Sequence, residues 1–178
     1  MKNKTLVVTL LGALVLGACV QMPELPAQEE EQETQAAAVQ VGSTTLDLYL
    51  PVSGDDSLWV SEQYLDKPVL MAFMATWCPW CKRSLAALDQ TTAAYKDKVE
   101  VVGVFIEKDI NPVEQVKKDF NIQSKILYDG GDAAKNLGVN GFPHIMLFDK
   151  KHRLVRVWSG YSDTLADEYA RELDKLLK

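Results

Sequence analysis

The chain has 178 residues and carries 19 Lys and Arg against 25 Asp and Glu, a formal net charge of −6 at pH 7. This acidic balance argues against a nucleic-acid partner, which would call for a basic stripe. The chain has three cysteines, too few for the disulfide framework of a small secreted scaffold.

The first 18 residues have the pattern of a bacterial signal peptide. Two lysines precede an apolar stretch at 6–16, which is too short for a comfortable membrane span, and small residues follow. The tetrad Leu16-Gly17-Ala18-Cys19 resembles a lipobox, after which lipoprotein signal peptides are cut and the cysteine is lipidated. We predict a signal peptide at 1–18 and a lipid anchor on Cys19. The alternatives are an incidental cysteine in an ordinary signal and an uncleaved anchor.

Residues 19–40 are rich in Gln, Glu, Ala and Pro, and they offer almost nothing to bury. Such a segment cannot offset its ordering entropy, so we predict a lipid-anchored, acidic, flexible tether. About twenty flexible residues have a root-mean-square reach on the order of 25 Å. Residues 41–178 suit one folded domain with a single core. The expected location is the bacterial cell envelope, with the domain facing the periplasm or the outside.

Periodicity and turn residues predict alternating strands and helices within 41–178. The predicted strands are 44–50, 69–74, 99–106, 126–128, 145–148 and 153–158, the last two as a hairpin. The predicted helices are 79–96, 111–120 and 162–177, with single turns at 61–65 and 133–137. Asn111 is the expected N-cap of the second helix, with Pro112 in its first turn and Glu114 as its capping-box acid, and Ser162 is the expected N-cap of the last.

The stretch Trp77-Cys78-Pro79-Trp80-Cys81 lies where an apolar run gives way to a helical pattern. Proline suits the first turn of a helix, so we place the helix start near Pro79. The free N–H groups and partial positive charge of that start favour the thiolate of Cys78. We predict that Cys78 is the exposed nucleophile and that Cys81, one turn deeper, resolves the mixed disulfide.

Other uses of a Cys-x-x-Cys pair fit this chain less well. A zinc site needs a second pair of ligands, and the remaining candidates, Cys19, His144 and His152, do not have finger or ribbon spacing. A passive buried pair would not need an aromatic residue on each side and a helix start. We therefore predict a redox-active disulfide, with no metal and no separate cofactor.

The predicted order of elements resembles the thioredoxin superfamily, and within it the membrane-tethered TlpA/ResA-like thiol-disulfide oxidoreductases. The resemblance covers nearly all of 41–178 and rests on three stretches, Lys67-Pro68-Val69-Leu70, Phe73-Met74-Ala75-Thr76-Trp77-Cys78 and Gly141-Phe142-Pro143. It implies an α/β, thioredoxin-like fold with a central mixed β-sheet flanked by helices and an N-terminal strand extension.

The resemblance also implies roles for residues near the dithiol. The Phe142-Pro143 peptide bond should be cis and should face Cys78, with the backbone at Phe142 pairing with a substrate strand. Trp77, Pro79 and Trp80 should join these two residues in supporting the dithiol and meeting the substrate.

Two acids that assist proton movement in relatives are replaced here. Thioredoxin has a buried aspartate six residues before its first active cysteine, where this chain has Ala72. ResA-like proteins have a glutamate three residues after the second cysteine, where this chain has Ser84. Glu107 follows a predicted parallel strand, at the sheet edge where sites form, and is a candidate proton relay. A glutamate at a strand end is, however, usually just solvated.

Two functions from different classes follow. The favoured one is a membrane-tethered thiol-disulfide oxidoreductase that acts on protein thiols and disulfides of the envelope, as a reductant kept reduced by a membrane electron donor. The Cys-Pro-x-Cys pattern also leaves a disulfide-forming oxidant open. The alternative is a copper-handling protein that holds Cu(I) with Cys78, Cys81 and His144. Copper chaperones of this fold, however, space their cysteines three apart rather than two.

Overall fold

Five strands form the central sheet of the computed structural model, which describes residues 40–178. The described strands are β1 (Tyr49–Pro51), β2 (Leu58–Val60), β3 (Val69–Met74), β4 (Glu100–Phe105), β5 (Lys125–Leu127), β6 (His144–Phe148) and β7 (Leu154–Ser159). The helices are α1 (Pro79–Ala94), α2 (Ile110–Asp119), α3 (Gly131–Asn136) and α4 (Leu165–Leu176), with a 3-10 helix at Ser61–Tyr64.

The central sheet is mixed, with the strand order β5-β4-β3-β6-β7. β3 pairs in parallel with β4 and antiparallel with β6, and β6 and β7 form the predicted antiparallel hairpin. Every residue of β3 is buried, as expected for a central strand that is covered on both faces. The α/β class predicted from the sequence, a mixed sheet flanked by helices, is therefore confirmed.

Alternate residues of β3 enter different apolar layers, because successive side chains of a strand point to opposite faces. Leu70, Ala72 and Met74 pack in the layer that contains the buried side chains of α1, α2 and α4. Val69, Met71 and Phe73 pack in the layer that contains the N-terminal segment and α3. The strand that leads into the dithiol is thus fixed from both sides.

The N-terminal extension is a two-stranded antiparallel sheet of β1 and β2. It is tied to the central sheet by a bridge between Val52 and Leu127 and by the indole of Trp59, which donates to Glu100 at 2.9 Å. The single strand predicted at 44–50 is therefore wrong in its bounds, and β2 was not predicted.

Two predicted helix caps are also wrong. Asp109 caps α2 by accepting a hydrogen bond from the backbone N–H of Asn111 at 3.0 Å, so Asn111 lies inside the helix. Glu114 instead accepts a hydrogen bond from the hydroxyl of Ser53. The last helix has Thr164 at its N-cap position, and the hydroxyl of Ser162 accepts from the Thr164 N–H at 3.2 Å.

The predicted signal peptide at 1–18, the lipidation site Cys19 and all of the predicted tether except residue 40 lie outside the described residues. Among the helices of 40–178, none combines the length and apolar character needed to cross a membrane.

Candidate active site

The dithiol occupies the junction between β3 and α1. Cys78 is the N-cap of α1 in an extended conformation, and Pro79 follows in the first turn. The sulfur of Cys78 accepts a hydrogen bond from the backbone N–H of Cys81 at 3.1 Å, and the two cysteines form a disulfide with their Cα atoms 5.3 Å apart. One of the otherwise unpartnered N–H groups of the helix start therefore points at the first sulfur.

The two cysteines are buried, but their aromatic neighbours are not. Cys78 is 4% exposed and Cys81 1%, whereas Trp77 is 69% exposed and Trp80 52%. The prediction that Cys78 is an exposed residue is therefore wrong for the disulfide form, because the loop of Phe142 packs against it. The two tryptophans, rather than the cysteines, form the solvent-exposed surface at this site.

The Phe142-Pro143 bond is cis, as the resemblance implied. The carbonyl oxygen of Phe142 lies 3.7 Å from the sulfur of Cys78. The ring of Phe142 packs edge-on against Trp77, with centroids 6.1 Å apart and planes at 81°. The carbonyl of Pro143 accepts from the backbone N–H of Gly160 at 2.8 Å. The two ends of the β6–β7 hairpin are thus joined beside the dithiol.

Trp80, between the cysteines, has two neighbours that the sequence analysis missed. Its ring stacks on Tyr161, with centroids 5.8 Å apart and planes at 22°. The guanidinium carbon of Arg83 lies 4.8 Å from the Trp80 ring centroid. Arg83 could have been found from its spacing, since residues three apart on a helix are neighbours. Tyr161 could not, because its approach depends on how the loop after β7 folds back.

Glu107 lies beyond the end of β4, at the sheet edge beside the dithiol. One of its carboxylate oxygens accepts hydrogen bonds from both the backbone N–H and the hydroxyl of Thr76, each at 2.8 Å. Its other oxygen is buried and has no hydrogen-bond partner among the described residues. The carboxylate is therefore anchored to the turn that precedes Cys78, and the contact with Thr76 was not predicted.

The two positions where relatives carry acids are apolar or neutral here. Ala72 is buried in β3. Ser84 is also buried, and its hydroxyl donates to the carbonyl of Cys81 at 2.7 Å. Neither side chain can take up or release a proton near neutral pH.

His144 is buried in β6, with Nδ1 3.3 Å from the hydroxyl of Ser159. Burial lowers the pKa of His144, because an imidazolium would lose its hydration there.

In the part of the chain that the structure describes, no three His, Cys, Asp or Glu side chains are grouped so that they could hold a metal ion. The proposed copper set of Cys78, Cys81 and His144 is not assembled in this structure.

An apolar groove of about 320 Å³ begins at Phe142. Ile106, Ala134 and Val139 line it with Phe142, and Lys135 is its one charged lining residue among those described. Phe142 contacts Cys78 through its carbonyl and also lines the groove, so the groove lies next to the loop that packs against the sulfur.

Comparison with known proteins places these features among thiol-disulfide enzymes. The family model described as Redoxin matches residues 40–173. The thiol-disulfide oxidoreductase ResA of Geobacillus thermodenitrificans is 29% identical over 130 residues, which cover 71% of this chain and 74% of that protein. The thiol:disulfide interchange protein DsbE of Escherichia coli is 26% identical over 185 residues, 97% of this chain and 98% of that protein.

Comparison with solved structures gives the same fold as these sequence relatives. A crystal structure from Chlorobium tepidum, described as a DsbE-type thiol:disulfide interchange protein, superposes with a TM-score of 0.72 at 20% identity. The match covers 79% of this chain and 99% of that one. The thioredoxin-like fold implied by the sequence is confirmed.

The buried His144 predicts a pH dependence of stability. An unfolded histidine titrates near about pH 6.5, whereas the folded chain binds this proton only at lower pH. Between these two pKa values the unfolded state therefore binds more protons than the folded state. The free energy of unfolding should fall as the pH drops from about 7.5 to about 5.5. Urea unfolding of the disulfide form measures this without interference from thiol titration. His144→Asn should lose most of the pH slope, and equal slopes in both proteins would show that His144 does not cause it.

Proposed function

The chain belongs to the Redoxin family, and on that basis we propose that it is a thiol-disulfide oxidoreductase of the TlpA/ResA type that exchanges disulfides with partner proteins. The observation that carries this proposal is the Cys78–Cys81 disulfide at the first turn of α1. The first sulfur receives a helix N–H and lies beside the backbone carbonyl of Phe142.

The exchange proceeds through one mixed disulfide. In the reduced protein the Cys78 thiolate attacks one sulfur of the partner's disulfide, whose S–S bond breaks and whose other sulfur leaves as a thiolate that takes up a proton. Cys81 then loses its proton and attacks the Cys78 sulfur, which releases the second partner thiol. Two electrons pass to the partner, and the Cys78–Cys81 disulfide is formed.

Cys78 takes the first role because of where the helix places it. Its sulfur accepts the Cys81 N–H, so a thiolate there is stabilised by a charge-assisted hydrogen bond and by the helix terminus. Burial separates the two sulfurs little, at 4% exposed for Cys78 and 1% for Cys81, so the hydrogen bond to the Cys78 sulfur carries the assignment.

The partner is a polypeptide that lies along the Phe142 loop. The apolar groove beside Phe142 suits an apolar side chain near the partner's cysteine. The exposed ring of Trp77, packed on Phe142, would extend this contact surface.

We propose that electrons flow out of the dithiol, from a membrane electron donor to envelope proteins. Among residues 40–178, the Cys78 sulfur accepts one backbone N–H and no basic side chain. Trp80, rather than an ionisable residue, stands between the cysteines. Modest stabilisation of the thiolate leaves the disulfide comparatively stable, which makes the dithiol a reductant. Stronger stabilisation would make it a disulfide-forming oxidant.

Glu107 is our candidate for the proton of Cys81. Positions 72 and 84 hold no acid, and the unpartnered oxygen of Glu107 is buried beside the turn that carries the dithiol. The carboxylate would accept the proton of Cys81 from its position beside Thr76, which donates two hydrogen bonds to it.

We also propose that the domain is tethered by lipid on Cys19 and works in the cell envelope. The support is the lipobox-like tetrad that ends at Cys19 and the acidic, Pro-containing segment that follows it. A tether of that length lets a lipid-held domain reach partners above its membrane.

The division of labour between the thiols predicts opposite results for two matched variants. Cys81→Ser should accumulate mixed disulfides through Cys78, because nothing resolves them, whereas Cys78→Ser should accumulate few or none. Non-reducing electrophoresis after reaction with a protein disulfide such as insulin measures this. Equal trapping by both variants, or trapping by Cys78→Ser alone, would contradict the assignment.

Anchoring makes a separate prediction. Cys19→Ser should leave the folded domain intact but abolish lipid attachment and normal processing, so that the protein carries no fatty-acid label and keeps its signal segment. Metabolic labelling with a fatty acid and the electrophoretic mobility of the protein measure both effects, with Cys78→Ser as the control that keeps its anchor. A Cys19→Ser protein that is labelled, processed and membrane-bound like the unmodified chain would remove the lipoprotein proposal.

A further inference from the structure

An aromatic and cationic surface lies beside the dithiol, on the residue between its cysteines. Trp80 is 52% exposed. Its ring stacks on Tyr161, and the Arg83 guanidinium lies 4.8 Å from its centroid. These three residues come from two elements, α1 and the loop after β7. We call them the Trp80 surface.

Tyr161 is positioned by one hydrogen bond within its own loop and one that ties this loop to the loop of Phe142. The hydroxyl of Tyr161 donates to Asp163 at 2.6 Å. The N–H of Gly160, directly before it, donates to the carbonyl of Pro143 at 2.8 Å. The loop that places Phe142 against Cys78 is therefore bonded to the residue before Tyr161, so the Trp80 surface lies at the same end of the β6–β7 hairpin as the Phe142 loop.

Arg83 is exposed and has its charge available for a partner. Within residues 40–178 the ion pairs join Lys125 to Glu100, Arg153 to Asp149, and Lys175 to Glu172, so none uses Arg83. An arginine that lies on an aromatic ring keeps its planar N–H donors directed outward, and it prefers carboxylates because two of those donors match two oxygens.

We infer that the Trp80 surface selects partner proteins with an aspartate or glutamate next to the reactive cysteine. This inference rests on the proposed oxidoreductase function and names the kind of partner that the site prefers. The partner's carboxylate pairs with Arg83, and the flat face of its backbone or of an apolar side chain packs on Trp80 and Tyr161. The exchange itself is unchanged, with the partner's disulfide reduced to two thiols as Cys78 and Cys81 are oxidised.

The net charge of the whole chain favours basic partners rather than acidic ones. A formal net charge of −6 disfavours acidic partners at long range. At physiological salt, charges separated by more than about 8 Å are largely screened. A preference for acidic segments at that ionic strength must therefore come from a contact, and Arg83 is the cation stacked on the residue between the cysteines.

The experiment uses three synthetic peptides that differ only in the residue after a single cysteine, which is Glu, Gln or Lys. Each peptide is supplied as its disulfide-linked dimer. The reduced full-length protein is mixed with each at physiological salt, and the initial rate of peptide thiol release is measured by acid quench and chromatography. The same peptides reduced by dithiothreitol give the intrinsic reactivity of each disulfide, to which the rates are normalised.

The expected result is a normalised rate for the Glu peptide several-fold above that for the Lys peptide. Arg83→Glu should lower the ratio of the Glu-peptide rate to the Lys-peptide rate about fivefold or more, since it replaces the attraction of the peptide's carboxylate by a repulsion. Arg83→Gln should bring the ratio near unity. Lys118→Glu, an exposed cation on α2 with the same change in net charge, should keep the original preference.

The Gln peptide separates the possible failures. If all proteins reduce it equally but Arg83→Glu leaves the Glu to Lys ratio unchanged, or if Lys118→Glu shifts the ratio as much, the inference is overturned and the oxidoreductase function stands. If the unmodified protein fails to reduce even the Gln peptide, the proposed function falls and this inference falls with it.

Discussion

The hydrogen bond from the Cys81 N–H to the Cys78 sulfur is the interaction on which the site depends. It makes a cysteine the N-cap of a helix, so the group that satisfies the helix start is also the group that reacts. Pro79 supports this arrangement because the first turn needs no N–H from it. The same contact that stabilises the fold locally therefore sets how readily the thiolate forms.

The sheet and its loops place that helix start beside the partner site. β3 is buried on both faces and ends four residues before Cys78, so its packing determines where the sulfur lies. Glu107, after the neighbouring strand, holds the intervening turn through Thr76. On the other side, the N–H of Gly160 ties its loop to the loop of Phe142. Each of these contacts leaves the dithiol at the carboxyl edge of the sheet, where open α/β folds place their sites.

The sequence predicted best what depends on local pattern. The bounds of β3 and the start of α1 at Pro79 agree with the structure, because an uninterrupted apolar run and a first-turn proline are strong signals. The hairpin of β1 and β2 was missed because strands of three residues are too short to show alternation. The cap at Asp109 was displaced to Asn111 because both residue types cap helices. The stacking of Tyr161 on Trp80 joins residues distant in sequence, so no local sequence pattern could predict it.

The central claim is that this helix start stabilises the Cys78 thiolate only modestly, so that the dithiol donates electrons. The reduction potential tests it most directly. The full-length protein is equilibrated with glutathione buffers of known ratio, and the reduced and oxidised fractions are separated after acid quench and thiol alkylation. The account predicts a potential near that of thioredoxin, about −270 mV, and well below the about −180 mV of protein disulfide isomerase. A value near about −120 mV, where a strong disulfide-forming oxidant lies, would contradict it.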